Sequence, residues 1–362
     1  QRQMCIRDSY YRSNDHSEVL SKIAHPFTNR VLDIALIISC YVIGFVMIAG
    51  AGSNLNQQFG LPTWLGALIC VLLVIFVSFL DFEKITQIIG IFTPIVIIMV
   101  LIIAGHSLIG HSFDFEQLNT VAKTLPTNMP NIWVSVLNYF AICVMTGVSM
   151  AFVLGGSIIR IGVAEKGGTL GGAMVGLIIA ITSLVLFVNV GKIASADIPM
   201  LVLANEIHPW FAFAYSLVVF GLIFNTAFSL YYALAKRFSE NKGESQFKRD
   251  MIIFVVSGYA LSFLGFKQLV SVMYPILGYI GLIMLVVLLQ AWIREKGNVQ
   301  DEKHLRRRMI TLISKKYDDD KKFTKKDKIE YQQLGEESVV ETKEIKEDIH
   351  DHVCLLYTSD AA

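Results

Sequence analysis

Apolar residues in this chain come in long unbroken blocks, not in the alternation of a half-buried strand or the one-sided period of a surface helix. Eight blocks, at about 31–52, 63–80, 85–105, 130–159, 169–190, 210–235, 251–266 and 268–293, are separated by short polar segments. Blocks of this length match the roughly 20 residues a helix needs to cross a bilayer. The pattern predicts an all-α integral membrane fold with eight transmembrane helices. Pro94 lies inside the third block and predicts a kink, which membrane helices tolerate. The segment DIPMLVLANEIHP, from Asp197 to Pro209, is too short and too interrupted by proline to cross, and reads as a short external helix able to cap a cavity. From Arg294 to Val353 the chain becomes charged and poor in aromatics, the pattern of a solvated tail, helical near the membrane and disordered beyond.

Composition sharpens the class. Of 362 residues, 54% are hydrophobic and only 17% charged, with a mean hydropathy of +0.55, far too apolar for an ordinary soluble domain. The net charge of +1 averages uncharged spans with a dense tail and says nothing about partners. Loop charge is informative. The loops at 10–30, 81–84, 160–167 and 236–250 carry Arg12, Lys22, Arg30, Lys84, Arg160, Lys166, Lys236, Arg237, Lys242, Lys248 and Arg249, whereas the alternate loops carry Lys123, Lys192 and Lys267. Eleven cations against three place both ends of the natural segment in the cytoplasm, in a multi-pass membrane protein. Cys40, Cys70 and Cys143 fall inside apolar blocks and read as packing residues.

The two ends are set aside from fold reasoning. Residues 1–9, QRQMCIRDS, and 354–361, CLLYTSDA, can both be encoded by one DNA segment read in opposite orientations, the mark of a sequencing adapter. Residues 1–9 and 354–362 are therefore expected to be artefact, with natural chain from about Tyr10 to Val353.

Two stretches carry candidate chemistry. Between Pro130 and Arg160, Ser135, Asn138, Tyr139, Thr146 and Ser149 fall near one helical face, and Gly147, Gly155 and Gly156 weaken the backbone. Loosened backbone at membrane depth is tolerated where protein or a water-filled cavity satisfies it, so the stretch is a candidate site. Small and polar residues also let neighbouring helices pack closely, and that reading stays open. In the 210–235 block, Asn225, Ser229 and Tyr232 lie at i, i+4 and i+7 with Thr226 adjoining, which aligns amide and hydroxyl groups on one face. That face serves either an ion or interhelical hydrogen bonding. Gly168, Gly172 and Gly176 recur every four residues, a helix-packing spacing. No GxSxG, HExxH, paired intramembrane aspartates, phosphate loop or zinc-type spacing occurs in the natural chain, so no enzyme is predicted, and nothing supports nucleic-acid binding. Arg306, Arg307 and Arg308 either attract anionic lipid or solvate the tail.

Three strings, IAGAGSNLNQQFGLP at Ile48–Pro62, DIPMLVLA at Asp197–Ala204 and NTAFSLYYALAKRF at Asn225–Phe238, resemble the YkvI-type bacterial membrane proteins, which are distantly related to the amino acid-polyamine-cation transporter superfamily. The resemblance covers about Arg30 to Trp292 and implies the LeuT fold, a ten-helix, five-plus-five inverted repeat. Eight of those helices would remain here, in an N-terminally truncated fragment. In that register Pro130–Arg160 is equivalent to the sixth helix, unwound at mid-membrane in such carriers, which implies substrate contacts at Tyr139, Cys143, Thr146, Gly147 and Ser149. The 210–235 block is equivalent to the eighth helix, which implies sodium-ion contacts at Asn225, Thr226 and Ser229. Cys143 departs from the pattern, because a small polar residue is expected there and a thiol is a poor sodium ligand.

No Asp, Glu or His occupies the middle of any block, although Asp33 lies near the start of the first. This favours sodium over proton coupling. The expected function is therefore a secondary transporter of a small solute, an amino acid or related amine, working by alternating access, with the lipid bilayer as its other partner and sodium as its coupling ion. The alternative is a non-transporting sensor or structural membrane protein that signals through the tail. The sequence does not fix the oligomeric state.

Overall fold

A computed structural model describes residues 26–79, 92–109, 114–125, 127–239, 243–318 and 322–359, with the side chains of 26–29, 148–157 and 355–359 excepted. Among the described residues the chain is helical, with no strand. In order, the helices are α1 Pro26–Phe59, α2 Thr63–Val77, α3 Phe92–Leu108, α4 Phe115–Lys123, α5 Ile132–Ser157, α6 Ile161–Val188, α7 Val190–Ile193, α8 Pro199–Ile207, α9 Pro209–Phe238, α10 Glu244–Ser262, α11 Phe266–Tyr317, α12 Lys325–Glu337 and α13 Thr342–Ser359. Of these, α1, α6, α9 and α11 are long and apolar enough to cross a membrane, and α2, α3 and the Ile132–Gly147 part of α5 are shorter apolar helices. The chain is thus a helical, multi-pass membrane protein. Large apolar side chains such as Leu72, Phe76, Ile98, Trp133, Leu177 and Leu217 stay exposed, as expected of surfaces that lipid covers.

The chain divides into two compact units. The larger comprises residues 34–139 and 176–279, and the tail unit comprises 1–33, 140–175 and 280–362.

In the larger unit α9 is the central element. One of its faces packs with α1, α2 and α10 through Ile48, Cys70, Val74, Phe228, Tyr231, Leu234, Met251 and Val255. The other face packs with α3, α7 and α8 through Met99, Ile103, Ile193, Leu201, Leu203, Ala212 and Tyr215. Small residues set the spacing where helices approach most closely. A Cβ added at Gly52 of α1 would lie 2.5 Å from the Thr63 carbonyl oxygen, and one at Gly44 would lie 2.8 Å from the Tyr231 ring. A Cβ at Gly258 of α10 would overlap the Tyr231 hydroxyl.

A polar cap or a first-turn proline starts several helices. Asp114 accepts from the Glu116 and Gln117 amides to begin α4. Pro199 and Pro209 occupy first-turn positions of α8 and α9, where no amide is needed. His208 ends the first of these helices and caps the second through Nδ1, which accepts from the Trp210 amide.

The tail unit has its own small core. Met309 and Ile313 of α11 pack with Val340, Ile345, Ile349 and Val353, and Ile159 in the α5–α6 turn joins them. Lys303 pairs with Glu165 of α6 at 2.7 Å. The buried Arg306–Glu302 pair is satisfied on its carboxylate side by the Ser338 hydroxyl and the Val339 amide. The sequence pattern predicts disorder past the membrane-proximal helix, whereas α12 and α13 are helical, with a capping box from Thr324 and Asp327. The apolar positions that allow this are spread thinly, from Ile310 and Ile313 to Val340, Ile345 and Ile349, too far apart to register as one period.

A candidate solute site at the α1–α8 end of the larger unit

The string at the end of α1 and the DIPM segment, nearly 150 positions away in sequence, are joined by hydrogen bonds between their side chains and backbone. Ser53 Oγ donates to Asp197 Oδ2 at 2.9 Å. Gln57 makes a two-point contact with the residue before α8: its Nε2 donates to the Ile198 carbonyl at 2.9 Å, and its Oε1 accepts from the Ile198 amide at 3.0 Å. One turn back, Asn54 Nδ2 donates to the Ser216 carbonyl at 2.8 Å while Ser216 Oγ donates to Asn54 Oδ1 at 3.0 Å, with both residues fully buried. An unmade hydrogen bond in an apolar interior costs several times what a made one contributes, so this network fixes α1 against α8 and α9.

Beside it opens a cavity of about 520 Å3. Ser53, Asp197, Asn128, Lys267, Gln268 and Ser271 supply its polar lining, and Trp64, Phe263 and Phe266 its aromatic lining. The volume falls in the range of small-molecule sites, roughly 300–1,000 Å3. The aromatic side of the cavity depends on the turn between α10 and α11, where Gly265 takes φ +89°, a left-handed conformation that favours glycine. Tyr259 of α10 donates to the Trp64 carbonyl at 3.2 Å and holds the start of α2 there.

Proline chemistry places Asn128. Pro275 inside α11 has no amide hydrogen, so the Ser271 carbonyl one turn earlier lacks its helical donor. Asn128 Nδ2 supplies that bond at 2.8 Å. Asn138 of α5 donates to the Pro275 carbonyl at 2.9 Å, and a Cβ at Gly278 would overlap its amide. Asn138 is therefore a packing group tying α5 to the proline-containing helix.

The residues expected to contact substrate lie on α5. The helix is continuous from Ile132 to Ser157, with no unwound turn at Thr146. The Thr146 hydroxyl donates to the Ile142 and Cys143 carbonyls of its own helix at 3.0 and 3.1 Å, a local bond that keeps the turn closed. Gly147 has open space where a Cβ would sit, Cys143 is half-buried and Tyr139 is half exposed. The Ser149 side chain lies outside the described residues. On α9, Ser229 Oγ and Asn225 Oδ1 are 3.5 Å apart, at the limit of a hydrogen bond, and Thr226 is exposed and bonded to the Leu222 carbonyl. The structure thus pairs Asn225 with Ser229 and leaves Thr226 beside them. Gly176, the last of the four-spaced glycines, has open space over its α-carbon.

Asp197, Lys267, Asn128 and Gln57 escape a reading that searches the middle of apolar blocks for polar residues, because all four lie at block ends. The usable signal was the composition of the two loop strings, dense in Asn, Gln and Ser on one side and opened by an aspartate on the other.

Sequence comparison gives the same neighbourhood. The chain is 25% identical over 271 residues to the uncharacterized membrane protein YkvI of Bacillus subtilis (strain 168), covering 72% of this chain and 73% of the relative. It is 24% identical over 272 residues to the uncharacterized protein YyaD of the same organism, covering 75% and 77%. No family model matches the chain. The chain is thus similar over most of its length to these two proteins, and that similarity supports a membrane protein resembling YkvI.

Proposed function

We propose that this protein is a secondary transporter of a small solute, an amino acid or related amine, with a LeuT-like arrangement of its apolar helices and sodium as the coupling ion. The observation that carries the reading is the solute-sized cavity with a polar and aromatic lining at one end of a bundle of apolar helices, with Asp197, just ahead of a helix too short to cross the membrane, on its wall. Its lining comes from the ends of apolar blocks that the loop charges assign to the outside, which suits the outward mouth of an alternating-access carrier. Tyr139, Cys143, Thr146, Gly147 and Ser149 remain the proposed substrate contacts, and Asn225, Thr226 and Ser229 the proposed ion ligands, because hydroxyl and amide oxygens suit a hard cation. The complete protein, reconstituted into liposomes and offered radiolabelled amino acids and amines with and without an inward sodium gradient, tests this. Sodium-dependent accumulation is the expected result, and no uptake of any solute would sink it.

One observation favours a second reading, a sensor that signals through its tail. The α5 helix is unbroken, and the turn that follows it is clamped to the tail through Ile159 and the Glu165–Lys303 pair. Reversing the pair with Glu165→Lys and Lys303→Glu singly, then together, separates the two readings. A sensor loses signalling in the single variants and regains it in the double, whereas a transporter keeps its uptake throughout.

A further inference from the structure

We propose that the cavity beside Asp197 binds an α-amino-acid-type zwitterion, with the Asp197 carboxylate taking the ammonium group and the Lys267 ammonium taking the carboxylate. The inference deepens the transport reading, and rests on it for what becomes of the ligand after capture.

The two charges of opposite sign line one cavity, and neither is neutralised by an ion pair among the described residues. Ser53 occupies only Oδ2 of Asp197, so the carboxylate is oriented yet keeps Oδ1 for a donor. Lys267 reaches the Ala194 carbonyl at 3.4 Å, a weak bond that leaves its ammonium with donors to spare. Lys192, another cation of the same set of loops, is already committed to Glu206 at 3.0 Å. A ligand carrying only a positive charge would gain Asp197 and be repelled by Lys267, and an anion would meet the reverse. A group bearing ammonium and carboxylate on one carbon answers both at once. Trp64 and Phe266 offer apolar surface to the rest of the ligand, which points to an apolar side chain.

The test uses the full chain, purified in detergent, and three probes of one shape: L-leucine as zwitterion, L-leucinamide as cation and N-acetyl-L-leucine as anion. Equilibrium dialysis should show L-leucine binding about tenfold more tightly than either singly charged analogue, the size expected of one charge-assisted contact in a partly wet site. Asp197→Asn keeps an acceptor for Ser53. It should weaken L-leucine and L-leucinamide and leave N-acetyl-L-leucine unchanged. Lys267→Gln should weaken L-leucine and N-acetyl-L-leucine and spare L-leucinamide. An unchanged melting temperature for both variants shows that the fold is intact. The proposal is overturned if wild-type protein does not bind L-leucine, if the three probes bind alike, or if both variants bind L-leucine as wild type does. The crossed pattern without uptake into liposomes would sink the transport reading and leave this one standing. Sodium-driven uptake of another solute with no L-leucine binding would do the opposite.

Discussion

The α5 helix and the end of α1 are both rich in small polar side chains, yet they use them differently. On α5 the Thr146 hydroxyl turns back to carbonyls of its own helix, a bond available in any helical context. At the end of α1, Ser53, Asn54 and Gln57 all bond to partners more than 140 positions away, so their identity is specific to this fold. A polar residue in an apolar block reveals little until its partner is known. Asn138 and Asn225 look equivalent in sequence, but one bonds to the proline carbonyl of a neighbouring helix and the other lies beside Ser229 within its own helix.

The packing around Tyr231 should give the largest effect when broken. Its ring is fully buried between α1 and α10, and its hydroxyl finds no hydrogen-bond partner among the described residues. Gly258→Ala would drive a methyl group into that hydroxyl and should destabilise the protein by about 1–3 kcal/mol, read as a fall in melting temperature in detergent. Tyr231→Phe removes the colliding oxygen, so the double variant should recover most of the loss. If the two effects simply added, contact between these residues would not be the cause.

The Asn54–Ser216 pair should come next. Asn54→Ala leaves the Ser216 hydroxyl buried without its acceptor and should cost about 1–3 kcal/mol. Adding Ser216→Ala should cost less than the sum of the two single losses, because the orphaned group is then gone. An additive result would show that the two side chains do not depend on each other, and would remove the contrast drawn with α5.

How much of this was legible in the sequence follows from the range of each interaction. The apolar blocks announced the helices, because crossing length and hydropathy are local properties. The segment from Asp197 to Pro209 could be read as a short capping helix for the same reason, since Pro199 and Pro209 mark its limits. The role of Asn128 could not be read. It follows from Pro275 freeing a carbonyl on a helix more than 140 residues away. Lys267 and Asp197 were visible as loop charges, but their presence on one cavity depends on how the end of α1, the start of α11 and the segment before α8 converge. The order in the tail was missed because its apolar contacts join positions in three helices and their connecting turns.

Acid offers a smaller effect confined to the tail. Hydrogen bonds from Lys315 and Thr324 hold the Asp327 carboxyl well below its ordinary value of 3.8. Hydrogen bonding from Arg308 lowers Glu330 in the same way. A carboxylate depressed in the folded state contributes stability that is full above its unfolded value and is lost as pH falls through the folded one. The tail should therefore begin to lose helix below about pH 4, while the membrane helices, with no carboxylate at mid-span, keep theirs. Circular dichroism between pH 6 and pH 2 should show a small loss, and Asp327→Asn should abolish the part of it that belongs to this cap. A uniform loss across the whole helical signal would mean that the tail and the membrane helices unfold together.

The smallest structural effect should come from Thr146→Val, and it bears most directly on α5. Valine keeps the shape of threonine and removes only a hydroxyl whose described bonds are to its own helix, so the stability should change by about 0.5 kcal/mol or less, read as a nearly unchanged melting temperature. Such a silent site separates structure from function cleanly. If Thr146 contacts solute or helps open the helix during transport, uptake should fall several-fold while stability and L-leucine capture at the Asp197 cavity stay as they were. If uptake is unchanged as well, the hydroxyl is helix packing alone, and the substrate contacts must be sought away from the Thr146 turn.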